Sequence, residues 1–146
     1  MEHKLIQGGS AVDNRGTIRF VNDFNMSAVK RFYLIRNANL DLVRGWRAHR
    51  IEQRWFYVIA GSFQFNLIKI DDWEKPDRDL AVEQVILESL ENKILHVPQG
   101  FATAFKAIEP NSEMLVYADN SLEHSKFDDY TFDLNYFTNS NFNSVD

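Results

Sequence analysis

Residues 45–61 read GWRAHRIEQRWFYVIAG. Two runs of strand character, Val43 to His49 and Trp55 to Ala60, flank a short charged break, and aromatic and β-branched residues favour the pleated sheet. Side chains alternate along a strand, so Arg47 and His49 share a face, as do Gln53, Trp55 and Tyr57. The Ala60-Gly61 junction reads as a hairpin turn into a further run, Ser62 to Ile70. The same grammar repeats outward: Thr17 to Val21 after the turn-like Asp13-Asn14-Arg15-Gly16, then Val29 to Arg36. A charged connection from Asp71 to Asp79, containing Pro76, leads to Ala81 to Leu87, Lys93 to Val97, Ala102 to Ile108 and Glu113 to Ala118. About nine short strands at this spacing predict an all-β sandwich or jelly roll. There is no internal repeat or linker, so residues 1–137 form one domain and the polar residues 138–146 a tail. The stretch SLEHSKFDDYTFDLNYF holds a short helix or an arm. Its aromatics Tyr130, Phe132, Tyr136 and Phe137 have too much apolar surface to stay in water, so they dock on their own domain or on a second subunit. The last nine residues, TNSNFNSVD, are expected to be poorly ordered in isolation.

Composition narrows the function classes. Hydrophobic residues make up 45% of the 146 and charged ones 25%, as in an ordinary soluble domain large enough for a real core. A net charge of −5 argues against a general nucleic-acid binder, which shows a basic face, yet leaves room for a local cationic pocket. The absence of Cys removes disulfides and thiol nucleophiles. The start MEHKLIQGG has no apolar signal region, and no apolar run approaches bilayer length. A cytoplasmic protein without membrane attachment is the expectation.

The glycines and prolines of residues 45–61, together with PQGFAT at 98–103, resemble the two-part signature of cupins, a family of β-helical jelly rolls that hold a metal with His-x-His, Glu and Pro-x-Gly-x-x-His. On that pattern Arg47, His49, Gln53 and Thr103 stand at the ligand positions. Arg47 has no lone pair to give, and one imidazole falls short of a ligand set. Neither metal nor other cofactor is therefore expected, which excludes a metal-dependent oxygenase. Asp13-Asn14-Arg15-Gly16, Lys30-Arg31-Phe32-Tyr33, Arg44-Gly45-Trp46-Arg47-Ala48-His49, PQGFATAF at 98–105, and Asp129-Tyr130 with Phe137 are similar to motifs of the sugar-nucleotide branch. That branch comprises the WxcM-like dTDP-4-keto-6-deoxyhexose 3,4-ketoisomerases and the dTDP-4-dehydrorhamnose 3,5-epimerases. The resemblance implies metal-free proton transfer beside a keto group, through an enediol or enolate. It also shows losses: Arg47 replaces the histidine expected as base in the ketoisomerases, Thr103 replaces the second-motif histidine of the epimerases, and Asn120-Ser121 stands near where their tyrosine is expected.

That chemistry needs a base with a pKa near neutrality and a cation or donor at the oxyanion. His49 is the base available, Arg47 or Arg44 the oxyanion partner, and Tyr33 the proton donor. Trp55 is expected to stack against sugar or base, and Arg31, Arg44 and Lys69 to hold the diphosphate, which suits the guanidinium fork. Arg47 has a blander role as a structural cation paired with Glu52 or another acid, Trp55 and Tyr57 as barrel packing, and Thr103 and His96 as structural residues. The expectation is a metal-independent isomerase or epimerase of a dTDP-linked 4-keto-6-deoxyhexose, working as a homodimer. The alternative is a non-catalytic sugar-nucleotide or carbohydrate-binding cupin.

Overall fold

The computed structural model describes residues 2–142. Twelve strands, one short α-helix and a 3-10 turn at Ser89–Glu91 occur among them: β1 Lys4–Gln7, β2 Gly9–Asp13, β3 Gly16–Phe20, β4 Arg31–Ile35, β5 Val43–His49, β6 Arg54–Ala60, β7 Ser62–Lys69, β8 Glu83–Glu88, β9 Lys93–Val97, β10 Phe101–Ala107, β11 Glu113–Ala118, α1 Leu122–Ser125 and β12 Tyr130–Thr131. They form two five-stranded antiparallel sheets, ordered β1-β9-β6-β11-β4 and β12-β5-β10-β7-β8, with β2 and β3 as a separate hairpin. The fold is an all-β jelly roll of the cupin type, and its two sheets face each other without closing.

Alternation explains the core. Phe56 and Val58 of β6, Phe63, Phe65 and Leu67 of β7, Phe105 of β10, and Met114 and Val116 of β11 meet between the sheets. Phe65 lies 5.1 Å from Phe56 and 5.6 Å from Phe105, ring centre to ring centre, within the range in which aromatic pairs attract beyond their buried area.

Ala60-Gly61 is a corner rather than a hairpin turn, because β6 and β7 belong to different sheets. Gly61 takes φ +73°, and a Cβ there would strike Ser112 Oγ at 2.1 Å, so both conformation and space require glycine. The aromatic arm covers its own domain. Phe137, Phe132, Tyr136 and Tyr130 pack with Trp46, Ala48, Ile68 and Ala102 on the outer face of the second sheet, and β12 extends that sheet alongside β5. Thr138 Oγ1 donates to Asp79 Oδ1 (2.5 Å), and Asn139 Nδ2 to the Asp79 carbonyl (2.9 Å). Residues 143–146 of the polar tail lie outside the described residues.

Candidate functional site

A cavity of about 1080 Å³ opens at one end of the sandwich, lined from β4, β5, β6, β10 and the C-terminal segment around α1. Arg31 and Tyr33 alternate inward on β4, and Arg47 and His49 do so on β5. Arg44 reaches the same space although it lies three residues before Arg47, because the β5–β10 register slips between Thr103 and Phe105. An extra residue in one strand re-aims side chains in this way. Gly45 permits the close approach, since a Cβ there would sit 2.6 Å from Ala104 Cβ. Among the described residues the lining carries six cationic side chains (Arg31, Arg36, Arg44, Arg47, Arg54 and Lys126) against one acid, Asp129. In a chain of net charge −5, this concentrates positive potential at one mouth and draws anions to it.

Behind the cavity wall lies a buried ionic cluster. The Glu52 side chain is fully shielded from solvent and accepts from Arg54 Nε at 2.6 Å and from Arg31 Nη2 at 3.1 Å. Both guanidiniums also lie over the Tyr33 ring, at 5.9 and 5.3 Å. Burial raises the Tyr33 phenol above its usual 10.0, outweighing the opposing charge of Arg54, so Tyr33 keeps its proton at neutral pH.

His49 is buried, and its Nδ1 lies 2.7 Å from the carbonyl oxygen of Asp128. A carbonyl only accepts, so Nδ1 carries the proton and Nε2 keeps its lone pair. Among the described residues Nε2 has no hydrogen-bond partner, and it is closed to solvent; Glu52 Oε2 lies 3.8 Å away. Burial, then the charge of Arg54, lowers the His49 pKa from 6.5, and the Glu52 carboxylate only partly offsets this. The ring is neutral at pH 7. His96, on the outer face of the first sheet, is also lowered from 6.5, by burial and then by Lys4. Both histidines bind protons more readily unfolded than folded, so their contribution to stability is complete above pH 6.5 and is lost as pH falls through their folded pKa values. The melting temperature is expected to drop on going from pH 7 to pH 5; a flat or rising profile would contradict the buried neutral state.

Of the side chains expected at the site, His49, Arg47, Tyr33, Arg31 and Arg44 come together in this cavity. Trp55 does not. Gln53 is held outward, its main-chain N–H donating to Asp119 Oδ1 at 2.7 Å, its side-chain Nε2 to Asp119 Oδ2 at 3.1 Å, and its Oε1 lying 2.8 Å from His96 Nε2. That sets the phase of β6, so Arg54 and Phe56 face the cavity while Trp55 stacks on His96 at 4.9 Å between ring centres, against Phe24. Lys69 is also elsewhere: it ends β7 exposed, 3.7 Å from Glu2. Arg47 pairs with Asp129 at 3.5 Å, not with Glu52. Arg54 and Asp128 carry no sequence motif and are found only from the structure, as are the partners of Glu52. The four positions of the metal pattern do not make a donor set: Arg47 has no lone pair, Gln53 faces the other side, and the acid nearest His49 is held by two guanidiniums.

Among known protein families, the one described as WxcM-like, C-terminal (FdtA) matches residues 1–141. No match was found among curated protein sequences. Similar solved structures include a mutant of the 3,4-ketoisomerase QdtA from Thermoanaerobacterium thermosaccharolyticum in complex with TDP-4-keto-6-deoxyglucose (18% identity, TM-score 0.69, covering 88% of this chain and 86% of that one). A 3,4-ketoisomerase from Helicobacter canadensis is 19% identical (TM-score 0.69, covering 89% and 90%). The dTDP-4-dehydrorhamnose 3,5-epimerase of Bacillus anthracis, with TDP and PPi bound, is 18% identical (TM-score 0.71, covering 91% and 79%). At these identities the likeness is one of fold.

Proposed function

The chain belongs to the WxcM-like, C-terminal (FdtA) family, and from that premise we propose that it is a metal-independent isomerase or epimerase of a dTDP-linked 4-keto-6-deoxyhexose. The observation that carries this reading is a neutral imidazole, His49, in the lining of a strongly cationic cavity. Related folds are seen with TDP-4-keto-6-deoxyglucose or TDP bound, and Arg31 and Arg44 line a mouth of the charge a diphosphate requires.

In this mechanism His49 Nε2 takes the proton from C3, next to the C4 ketone. The C3–H bonding pair becomes the C3–C4 double bond of an enolate, and the C4 oxygen takes the negative charge. Arg47, half exposed and paired with Asp129, is the cation able to turn to that oxygen; the interaction strengthens as charge develops and so lowers the barrier. Epimerisation then returns a proton to C3 from the opposite face. Ketoisomerisation delivers a proton to C4 while the C3 hydroxyl loses its own and becomes the ketone. Tyr33, protonated and cavity-facing, is the donor for the second step. The burial of Nε2 favours a second reading, a non-catalytic sugar-nucleotide-binding module. The two are separated by incubating the protein with dTDP-4-keto-6-deoxyglucose and resolving the sugars: a new keto isomer or epimer supports the enzyme, and bound but unchanged substrate supports the binding module. A cytoplasmic setting, which a nucleotide-sugar substrate implies, is part of the proposal.

A homodimer is part of it too. Phe32 (63% exposed) and Leu34 (54%) lie on the outer face of β4, which is an edge strand, and Met26 (49%) is also bare. A bare apolar edge is usually covered, and two-fold pairing is the commonest solution. Sedimentation is expected to return about twice the 17.1 kDa chain mass; a monomer at micromolar concentration would contradict the dimer.

A further inference from the structure

We propose that Asp128 is the positioning residue of the site: it fixes the proton on His49 Nδ1 and, through the main chain, sets the carboxylate that receives the second N–H of the imidazolium. The inference deepens the isomerase reading and rests on it for its kinetic part only.

Asp128 is buried, 2% exposed, between α1 and β12. Its carboxylate accepts three successive main-chain amides: Arg50 N at 2.7 Å, Ile51 N at 3.0 and 3.1 Å, and Glu52 N at 2.7 Å. Successive amides converging on one anion form a rigid nest, so the bend between β5 and β6 is pinned to the C-terminal segment at this point. The main-chain oxygen of the same residue accepts from His49 Nδ1 at 2.7 Å. One residue thus fixes the imidazole and the backbone of Glu52 relative to each other.

The consequence appears when His49 takes a proton. Nε2 then becomes a donor, and the acceptor opposite it is Glu52 Oε2 at 3.8 Å; Nδ1 remains bonded to the Asp128 carbonyl. Both N–H groups of the cation then face oxygen, which matters in a buried site where an unpaired charge is costly. Holding a ring in one tautomer by a partner on its far nitrogen is a general way to prepare a base. The charged groups that act on the ring are Arg54, Glu52 and Asp128.

The test begins with ¹⁵N NMR of the ligand-free wild-type protein, which needs neither substrate nor variant. His49 is expected with a protonated Nδ1 and a bare Nε2; a proton on Nε2 overturns the proposal. In Asp128→Asn one acceptor oxygen is replaced by an amide N–H₂ that abuts the amides of the bend. Its dTDP affinity is expected to stay within about threefold while kcat falls roughly 100-fold, and the His49 spectrum should show mixed tautomers. A variant that keeps both the wild-type tautomer and wild-type kcat overturns the proposal. If Asp128→Asn does not fold, the wild-type tautomer decides. A wild-type protein with the Nδ1–H tautomer that moves no substrate proton would sink the isomerase reading and leave the anchoring of the ring standing.

Discussion

Glu52→Ala is expected to lower unfolding stability by about 3–5 kcal/mol, because removing one partner of a buried ion pair leaves the other charge without compensation. Here two charges are stranded. Arg54 and Arg31 have side chains only 13% and 23% exposed, and both give hydrogen bonds to this carboxylate. Arg31 keeps one further acceptor, the Asn120 carbonyl at 3.1 Å, and residual solvent contact softens the penalty, which places the result at the lower end of the range. A loss of 3 kcal/mol corresponds to a melting-temperature drop of roughly 10 °C in a domain of this size. Glu52→Gln, which preserves volume and one acceptor oxygen, should fall between alanine and wild type. Denaturant titration showing a loss below about 1 kcal/mol would mean that water supports the cluster.

His49→Gln is expected to reduce substrate proton transfer by roughly 10²- to 10⁴-fold, the range supplied by a positioned acid or base. Glutamine preserves bulk but has no titratable lone pair. Affinity for dTDP should change little, because the cationic mouth is built from other side chains. A fall in turnover without a fall in affinity is the signature of an interaction made in the transition state. In the wild type the acid limb of the pH–rate profile should lie below 6.5, since burial and Arg54 hold the imidazole pKa under that value. A limb above 6.5 would place the titrating base elsewhere.

Period-two alternation made β5 to β11 legible, because each buries one face and leaves a polar or differently packed one behind. It was silent on β1, whose residues are mostly exposed and which holds to β9 through main-chain pairing, and on β12, only two residues long. The motif carrying Arg44, Arg47 and His49 led to the cavity, although only the bulge opposite Thr103 explains how Arg44 joins it. Which face of β6 meets the cavity was not legible: the bend that Asp128 and Asp119 impose over residues 50–53 decides it, and one residue of phase exchanges Trp55 for Arg54. Asp128 itself lies in SKFDDYTF, where no pattern separates an acid that caps a bend 76–78 residues away from an ordinary surface acid.

That the protein removes a proton beside the keto group is tested most directly by proton NMR of dTDP-4-keto-6-deoxyglucose in D₂O with catalytic amounts of the wild-type protein. The C3 resonance should disappear through exchange with solvent, and in the presence of His49→Gln it should persist. Substrate that demonstrably binds the wild type yet keeps its C3 proton at the background rate would contradict the account and identify the cavity as a binding site without chemistry.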